Sequence, residues 1–393
     1  MPPFEPFRGV RYDTSRFSLA DVTAPPYDVI SDADRDRLAS RSNRNAVLID
    51  LPREVDGPHR YQGAAERLAA WLADGTLVVD EEPSFSVYRM GYMDDRGAPA
   101  HTLGVIGALG LSPPGEGGVL PHEQTTPKAK SDRLELMRAT HMNLSPVWGL
   151  SLTEGLTALL EVPQPPLAAW TDHDEVDHAL WRITEPARMA AITDAVAASV
   201  VVLADGHHRY ETALAYRAES ATPAAGAVMA FLVELVAEQL TVRPIHRLLD
   251  ELPPACDVEA ALAPFFRAGE VVNPDARILA TMDAAGALAL IRPDGSARLL
   301  HPRPEALAQA DDLDSSRLAV ALESLPEHRV RYQHGVDHVL AAVKDGAARY
   351  GVLLRPATVA QIAANAHAGA RMPPKTTFFY PKPKTGLVFR DLA

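Results

Sequence analysis

An apolar run, Val200 to Leu203, leads within two residues into Asp205-Gly206-His207-His208-Arg209, and a helical pattern follows through Arg217. Strand, tight turn and helix succeed each other without slack. Gly206 lets the backbone pass close to a ligand, and the amides of the helix that starts there point at it, a geometry that favours anions. Arg209 can fork two hydrogen bonds onto phosphate oxygens, while His207 and His208 add donors whose charge is tunable near neutral pH. Asp205 repels a bare phosphate but can hold Mg²⁺ that bridges phosphates. The plain alternative is that Asp205 caps the helix and both histidines are buried and satisfied. Zinc fits poorly, because adjacent histidines rarely point at one metal and neither an HExxH motif nor a cysteine pair completes a site.

Around this turn the chain alternates strand and helix signals. A strand closed by proline is expected over Asn45 to Pro52, a helix over Ala64 to Leu72, and a strand over Leu77 to Val79. Ser84 to Tyr92 and Leu103 to Leu111 flank the polar turn Asp94-Asp95-Arg96-Gly97, the pattern of an antiparallel hairpin. Further along, Val258 to Phe266 reads as a helix and Ala276 to Ile291 as strands or a hairpin. The expected fold class is α+β, with mixed, largely antiparallel sheets. A proline-punctuated connection, Glu161 to Pro166, suggests three regions: 1–160, 161–250 and 251–393.

Three other segments carry reactive side chains. His122-Glu123 precedes Lys128 by a few residues; Glu123 can serve as general base or Mg²⁺ ligand and Lys128 can neutralise a transferred phosphoryl group, unless the segment is simply a charged loop. Near the C-terminus Lys375, Lys382 and Lys384 surround Phe378-Phe379-Tyr380, either to cover a nucleotide or as a final strand with lysines guarding its edge. Ala24-Pro25-Pro26-Tyr27-Asp28 reads as a rigid turn in which Asp28 is a possible ligand. Arg133 and Arg138 read as a solvated helix face with Glu135.

With a formal net charge of −13, the chain repels a polyanion, so nucleic acid is an unsuitable partner. The single cysteine, Cys256, excludes an intramolecular disulfide and is expected as a small helical core residue. The N-terminal residues lack a secretory leader and no uncharged run reaches the ~18 residues of a membrane helix, so a cytoplasmic location with no membrane partner is expected.

Pro6-Phe7-Arg8-Gly9-Val10-Arg11-Tyr12, Ala24 to Ser31, Leu120 to Thr125, Leu203 to Ala213 and Met372 to Leu387 together resemble the bacterial domain-of-unknown-function family 1015. The family supplies no reaction. Val201 to Ala213 also resembles the phosphate-binding turn of the ParB and sulfiredoxin-like superfamily, with Gly206 and Arg209 at the spacing of its Gly-x-x-Arg motif. That resemblance implies a strand-turn-helix nucleotide-phosphate core. Some members are kinases of free serine with an Asp-Gly-His-His-Arg turn and a separate catalytic glutamate, a role for which Glu123 is the candidate here. His207-His208 stands where sulfiredoxin chemistry needs a cysteine. The expected function is therefore transfer of a phosphoryl group from ATP or ADP, with Mg²⁺, to the hydroxyl of a free amino acid, L-serine first. In that scheme Glu123, Asp205, His207 and His208 are catalytic, Asp205 and Glu123 hold the metal, and Gly206, Arg209, Lys128, Lys375 and Lys382 bind the nucleotide. A nucleotide-binding switch for CTP or ATP and a phosphatase of a phosphorylated metabolite are the alternatives.

Overall fold

A continuous apolar segment such as Leu288-Ala289-Leu290-Ile291 makes a stable strand only where both faces of its sheet are covered, because successive side chains point to opposite sides. In the computed structural model, which describes residues 2–53, 59–95, 97–113, 116–121, 130–275, 277–369 and 372–393, this requirement shapes both halves of the molecule. The chain divides into two compact units, Met1–Thr241 joined by Pro381–Ala393, and Val242–Tyr380.

The first unit is built on a mixed, mostly antiparallel sheet. Its strand order is Val119–Pro121, Val201–Asp205, Val147–Ser151, Ala227–Glu234, Pro99–Gly110, Phe85–Met93, Asp177–Ile183 and Ala168–Thr171, with Phe4–Glu5 beside Pro99–Gly110. Strands from both sides of residue 160 thus contribute to one sheet. Two pairings are parallel: Val201–Asp205 with Val119–Pro121, and Ala227–Glu234 with Val147–Ser151. One face packs Val87, Val105, Val147, Val201 and Leu203 against Ile192 and Val196 of the helix Pro186–Ala197 and against Tyr210 and Ala213 of the helix His207–Glu219. Burying such side chains contributes roughly 1.5–3 kcal/mol each, which makes this sheet the rigid base of the unit.

A smaller antiparallel sheet, ordered Leu77–Val79, Gly9–Tyr12, Phe389–Asp391 and Met142–Asn143, ties the C-terminal strand into the same unit. Its core joins Val10, Tyr12 and Phe389 to Ala64, Leu68 and Trp71 of the helix Arg60–Ala73.

The second unit holds an antiparallel sheet ordered Phe266–Val272, Ala297–Pro302, Leu288–Ile291, Tyr350–Leu353, His246–Asp250 and Arg329–Gln333. Leu249, Leu288, Leu290, Leu300 and Val352 face one core, with Leu318 and Leu322 of the helix Asp314–Leu322. Leu248, Ala289, Ile291, Leu299 and Leu353 face the other, with Met282 and with Val339 of the helix Val336–Lys344. The Thr377–Tyr380 segment is a strand, with Phe379 fully buried and Tyr380 beneath the Arg243 guanidinium at 3.5 Å, but Lys382 and Lys384 pair with Asp205 and Asp172 instead of guarding its edge.

The α+β class with largely antiparallel sheets is what the structure has. Several local expectations fail, among them Val258 to Phe266, where the helix stops at Leu262 and Phe266 opens the strand Phe266–Val272. Val47–Asp50 is a helical turn, not a strand, because the Asn45 side chain accepts from the Val47 amide and starts a turn instead of an extended run. Ile278–Ala285 is a helix that Gly286 ends in the left-handed conformation, and only Leu288–Ile291 is a strand. Cys256 packs at the edge of the second unit's core, in a turn ahead of the helix Val258–Leu262. No helix among the described residues is long and apolar enough to cross a membrane.

Gly104 marks a very close approach within the large sheet: a Cβ there would stand 2.5 Å from the Phe231 ring and 2.6 Å from the Leu232 carbonyl oxygen. Because one of those neighbours is backbone, relaxation is limited. Gly104→Ala is expected to destabilise the first unit by about 1–3 kcal/mol in urea unfolding, and an unchanged midpoint would show that the sheet yields there.

Candidate functional site

The strand Val201–Asp205 is buried until its last residue, and its register against Val147–Ser151 shifts between Leu203 and Asp205, where an irregularity at Ala204 precedes the pairing of Asp205 with Trp148. Gly206 follows at φ 82° and ψ 29°, the left-handed region that glycine enters without steric cost, and occupies the N-cap of the helix His207–Glu219. The first helical bond runs from Tyr210 N to Gly206 O at 2.9 Å. As in any α-helix, the amides of the first turn have no acceptor inside the helix, and the dipole leaves partial positive charge at that end.

Asp205 does not cap this helix with its side chain. Its Oδ2 accepts from Arg209 Nη2 at 2.6 Å, and its Oδ1 from Lys382 Nζ at 2.5 Å. The carboxylate is largely enclosed, so burial favours the neutral acid, yet Lys382 and Arg209 outweigh burial and hold it well below the usual carboxylate range. Lys382 comes from a segment 177 residues away that re-enters the first unit at Pro381. Asp205, Arg209 and Lys382 taken alone carry one negative and two positive formal charges, and the Asp28 and Asp50 carboxylates act on Arg209 as well.

Arg209 behaves differently from its sequence expectation. It is 7% exposed, and its two terminal nitrogens are committed to Asp205 Oδ2 and the Pro146 carbonyl, so the fork foreseen for phosphate oxygens holds the turn to the neighbouring strand region. A Cβ on Gly206 would sit 2.9 Å from Arg209 Nε, so glycine is required there for space as well as for φ. Inward of Arg209 lies a second charged layer. Arg133 donates to the Asp50 carbonyl at 2.6 Å, faces the Asp50 carboxylate at 3.4 Å, and stacks over the Tyr27 ring at 4.2 Å. Burial pushes the Asp50 carboxyl up despite Arg133 and Arg209, and burial likewise moves the Tyr27 hydroxyl to about 12. The exposed Asp28 carboxylate adds its field to Arg209.

Tyr27, Asp50, Arg133, Ser145, Arg209 and Thr212 border a cavity of about 40 Å³. That is far below the roughly 300 Å³ of a small-molecule pocket, so this cavity does not admit a ligand of nucleotide size. A cavity of about 430 Å³ in the second unit is lined by Arg317, Arg355 and Asp314, but both arginines already pair with that aspartate.

His207 and His208 lie half-buried in the first turn of the helix, and the field of His207 reaches Asp205. Lys375 belongs to the second unit, with a left-handed φ of 58°. Glu123, Lys128 and His122 lie outside the described residues. Among the described residues no group of three acidic, histidine or cysteine side chains gathers, and both Asp205 oxygens are taken by cations, so these residues do not by themselves form a Mg²⁺ site. Arg133 is the residue most misjudged from sequence: it is buried among Asp50, Asp132 and Tyr27, whereas Arg138 does lie on an exposed face with Glu135 and Glu219. The one signal for Arg133 was the helical alternation of Leu134 and Met137 around it, too weak to fix its direction.

Because Asp205 ionises more readily folded than unfolded, it stabilises the fold above the unfolded value near ~3.9, and this contribution is lost as pH falls through its lower folded value. Asp205→Asn is therefore expected to cost about 3–5 kcal/mol at pH 7, with two cations left facing each other. The gap to the unaltered protein should narrow below pH ~4. Chemical unfolding at pH 7 and in acid measures both, and a gap independent of pH would contradict the assignment.

Several solved structures are similar to the chain at low identity. A conserved hypothetical protein from Pyrococcus furiosus is 14% identical with a TM-score of 0.36, covering 69% of this chain and 92% of its own. A free serine kinase in complex with AMP is 13% identical with a TM-score of 0.37, covering 69% and 88%. SbnI from Staphylococcus aureus, with a C-terminal truncation, is 11% identical with a TM-score of 0.41, covering 70% and 84%. No curated protein matches the chain. Residues 4–348 match the family described as protein of unknown function, DUF1015, and the chain belongs to that family.

Proposed function

We propose that the chain is a phosphotransferase, a kinase that moves a phosphoryl group from ATP or ADP to the hydroxyl of a free amino acid, with L-serine the first acceptor to test. The observation that carries this reading is the juxtaposition of a glycine-opened helix N-terminus with the Lys382 ammonium, whose counter-charge is Asp205. A phosphate arriving at the helix end meets outward amides, the half-buried His207 and His208, and a lysine that can exchange one anionic partner for another. Arg209 and Asp205 act one step back, holding the turn.

In the transfer itself the acceptor oxygen bonds to the terminal phosphorus as the bond to the bridging oxygen breaks. The hydroxyl proton passes to a carboxylate, and the nucleotide leaves one phosphate shorter. Such a reaction depends chiefly on positioning and on neutralising charge spread over the phosphoryl oxygens, the work assigned to His207, His208 and Lys382. Glu123 is the proposed base, and Lys128 and Lys375 are proposed nucleotide contacts. Asp28, the exposed carboxylate whose field reaches Arg209, is the other base to examine.

Phosphorus NMR of the protein with Mg²⁺, ATP or ADP, and a pool of hydroxylated amino acids tests the proposal. A new phosphate-ester resonance that disappears in Arg209→Ala is expected, and Lys382→Met should weaken nucleotide binding by about tenfold, the loss of one charge-assisted contact. Of Glu123→Gln and Asp28→Asn, the variant that binds nucleotide but transfers nothing identifies the base. Saturable nucleotide binding with no ester from any acceptor would instead make the turn a nucleotide-operated switch, and phosphate release from a phosphorylated metabolite without nucleotide would make it a phosphatase.

A further inference from the structure

Two residues beyond Lys382, Lys384 turns to a different acid. Its ammonium pairs with Asp172 Oδ2, and the same carboxylate oxygen meets His178 Nε2 at 3.0 Å. The other ring nitrogen of His178, Nδ1, lies 2.7 Å from the Tyr88 hydroxyl, and Trp170 stacks on the imidazole at 4.9 Å. All of this is interior: Tyr88 is fully buried, and His178 and Lys384 are 2% and 8% exposed. The Lys384 backbone also bonds to the Tyr88 hydroxyl. A chain of four polar groups is therefore closed at both ends on one residue of the C-terminal segment.

Such an arrangement costs desolvation and persists where it fixes something in place. The segment it fixes is Pro381-Lys382-Pro383-Lys384. Two prolines lock their own φ angles and bias Tyr380 and Lys382, the residues before them, toward extended backbone. With Lys384 anchored, few conformations remain for Lys382, and the one present sets its ammonium on Asp205. Two lysines two residues apart, Lys382 half-buried and Lys384 buried, thus serve different carboxylates, one on the strand Val201–Asp205 and the other in the turn between the strands Ala168–Thr171 and Asp177–Ile183.

We propose that Lys384 is a positioning residue for the candidate phosphate site: paired with Asp172 and enclosed by His178 and Tyr88, it pins the Pro381–Lys384 strap so that Lys382 is held where it can pass from Asp205 to a bound phosphate. This rests on the phosphotransferase reading for its use, but the positioning itself is a property of the ligand-free chain. Lys384 contributes no contact of its own to the phosphate. Its influence reaches the ligand through Lys382.

The test therefore has two readouts. Lysine acetylation read by mass spectrometry on the nucleotide-free protein measures how accessible Lys382 is: slow labelling is expected in the unaltered chain, labelling several-fold faster in Lys384→Met, and return to slow labelling in Lys384→Arg. ATP or ADP titration of Lys384→Met, Lys382→Met and the double variant then forms a cycle. Lys384→Met is expected to weaken binding about tenfold alone and to add nothing once Lys382 is gone, a coupling that general destabilisation does not produce. Should Lys384→Met fail to fold, Lys384→Gln and Tyr88→Phe enter the same two measurements. Unchanged Lys382 labelling in a folded variant, or fully additive losses in the cycle, overturns the proposal. If the unaltered protein binds neither nucleotide, the phosphotransferase reading falls, while the labelling result alone still decides whether Lys384 positions Lys382.

Discussion

Everything distinctive in the first unit depends on the charge balance around Asp205. One enclosed carboxylate faces two cations, Arg209 four residues on and Lys382 from the far end of the chain. Taking these charges out of water is unfavourable for each group alone, and attraction in a medium of low dielectric offsets that cost only while all three are present. The three charges therefore tie the turn, the helix start and the C-terminal strap to one another. The two cations lie at a helix N-terminus, where the dipole has the same sign, and Asp205 is the carboxylate that balances them there.

The sheet supplies the rigidity this balance needs. Val201, Val202 and Leu203 are buried between two neighbouring strands, so the end of the strand is fixed before the turn begins. Arg209 then bonds across to the Pro146 carbonyl, just ahead of the adjacent strand Val147–Ser151, and a second layer of Arg133, Asp50 and Tyr27 sits inward of it. Charged residues packed in depth restrict how the turn can move, and leave His207 and His208 half-buried in the first turn of the helix.

Much of this was legible in the residue order, for local reasons. A period of two, a helical period and a glycine at a sharp turn act over a few residues, and they gave the hairpin of Phe85–Met93 with Pro99–Gly110, the helix Arg60–Ala73 and the strand-turn-helix at Gly206. Where a side chain competes with the backbone the same reasoning failed: Asn45 draws in the Val47 amide and converts an apolar run into a helical turn. Arg133 failed for another reason. Its helix alternates polar and apolar residues loosely enough that only the acids and the ring around it reveal which way it points.

By itself the sequence determined the α+β class, the strand-turn-helix at Gly206, and the fact that Asp205, Arg209 and Lys382 are chemically notable, since these follow from patterns and residue types close together in the chain. Only the tertiary structure decided that Arg209 turns inward, that Lys382 shares a carboxylate with it, and that Lys384 anchors the strap on Asp172 and His178. Those outcomes join residues far apart in the chain, 63 positions for Arg209 with Pro146 and 177 for Lys382 with Asp205, and a long-range contact has no local signature: its partner is chosen by which strands become neighbours once apolar faces are buried.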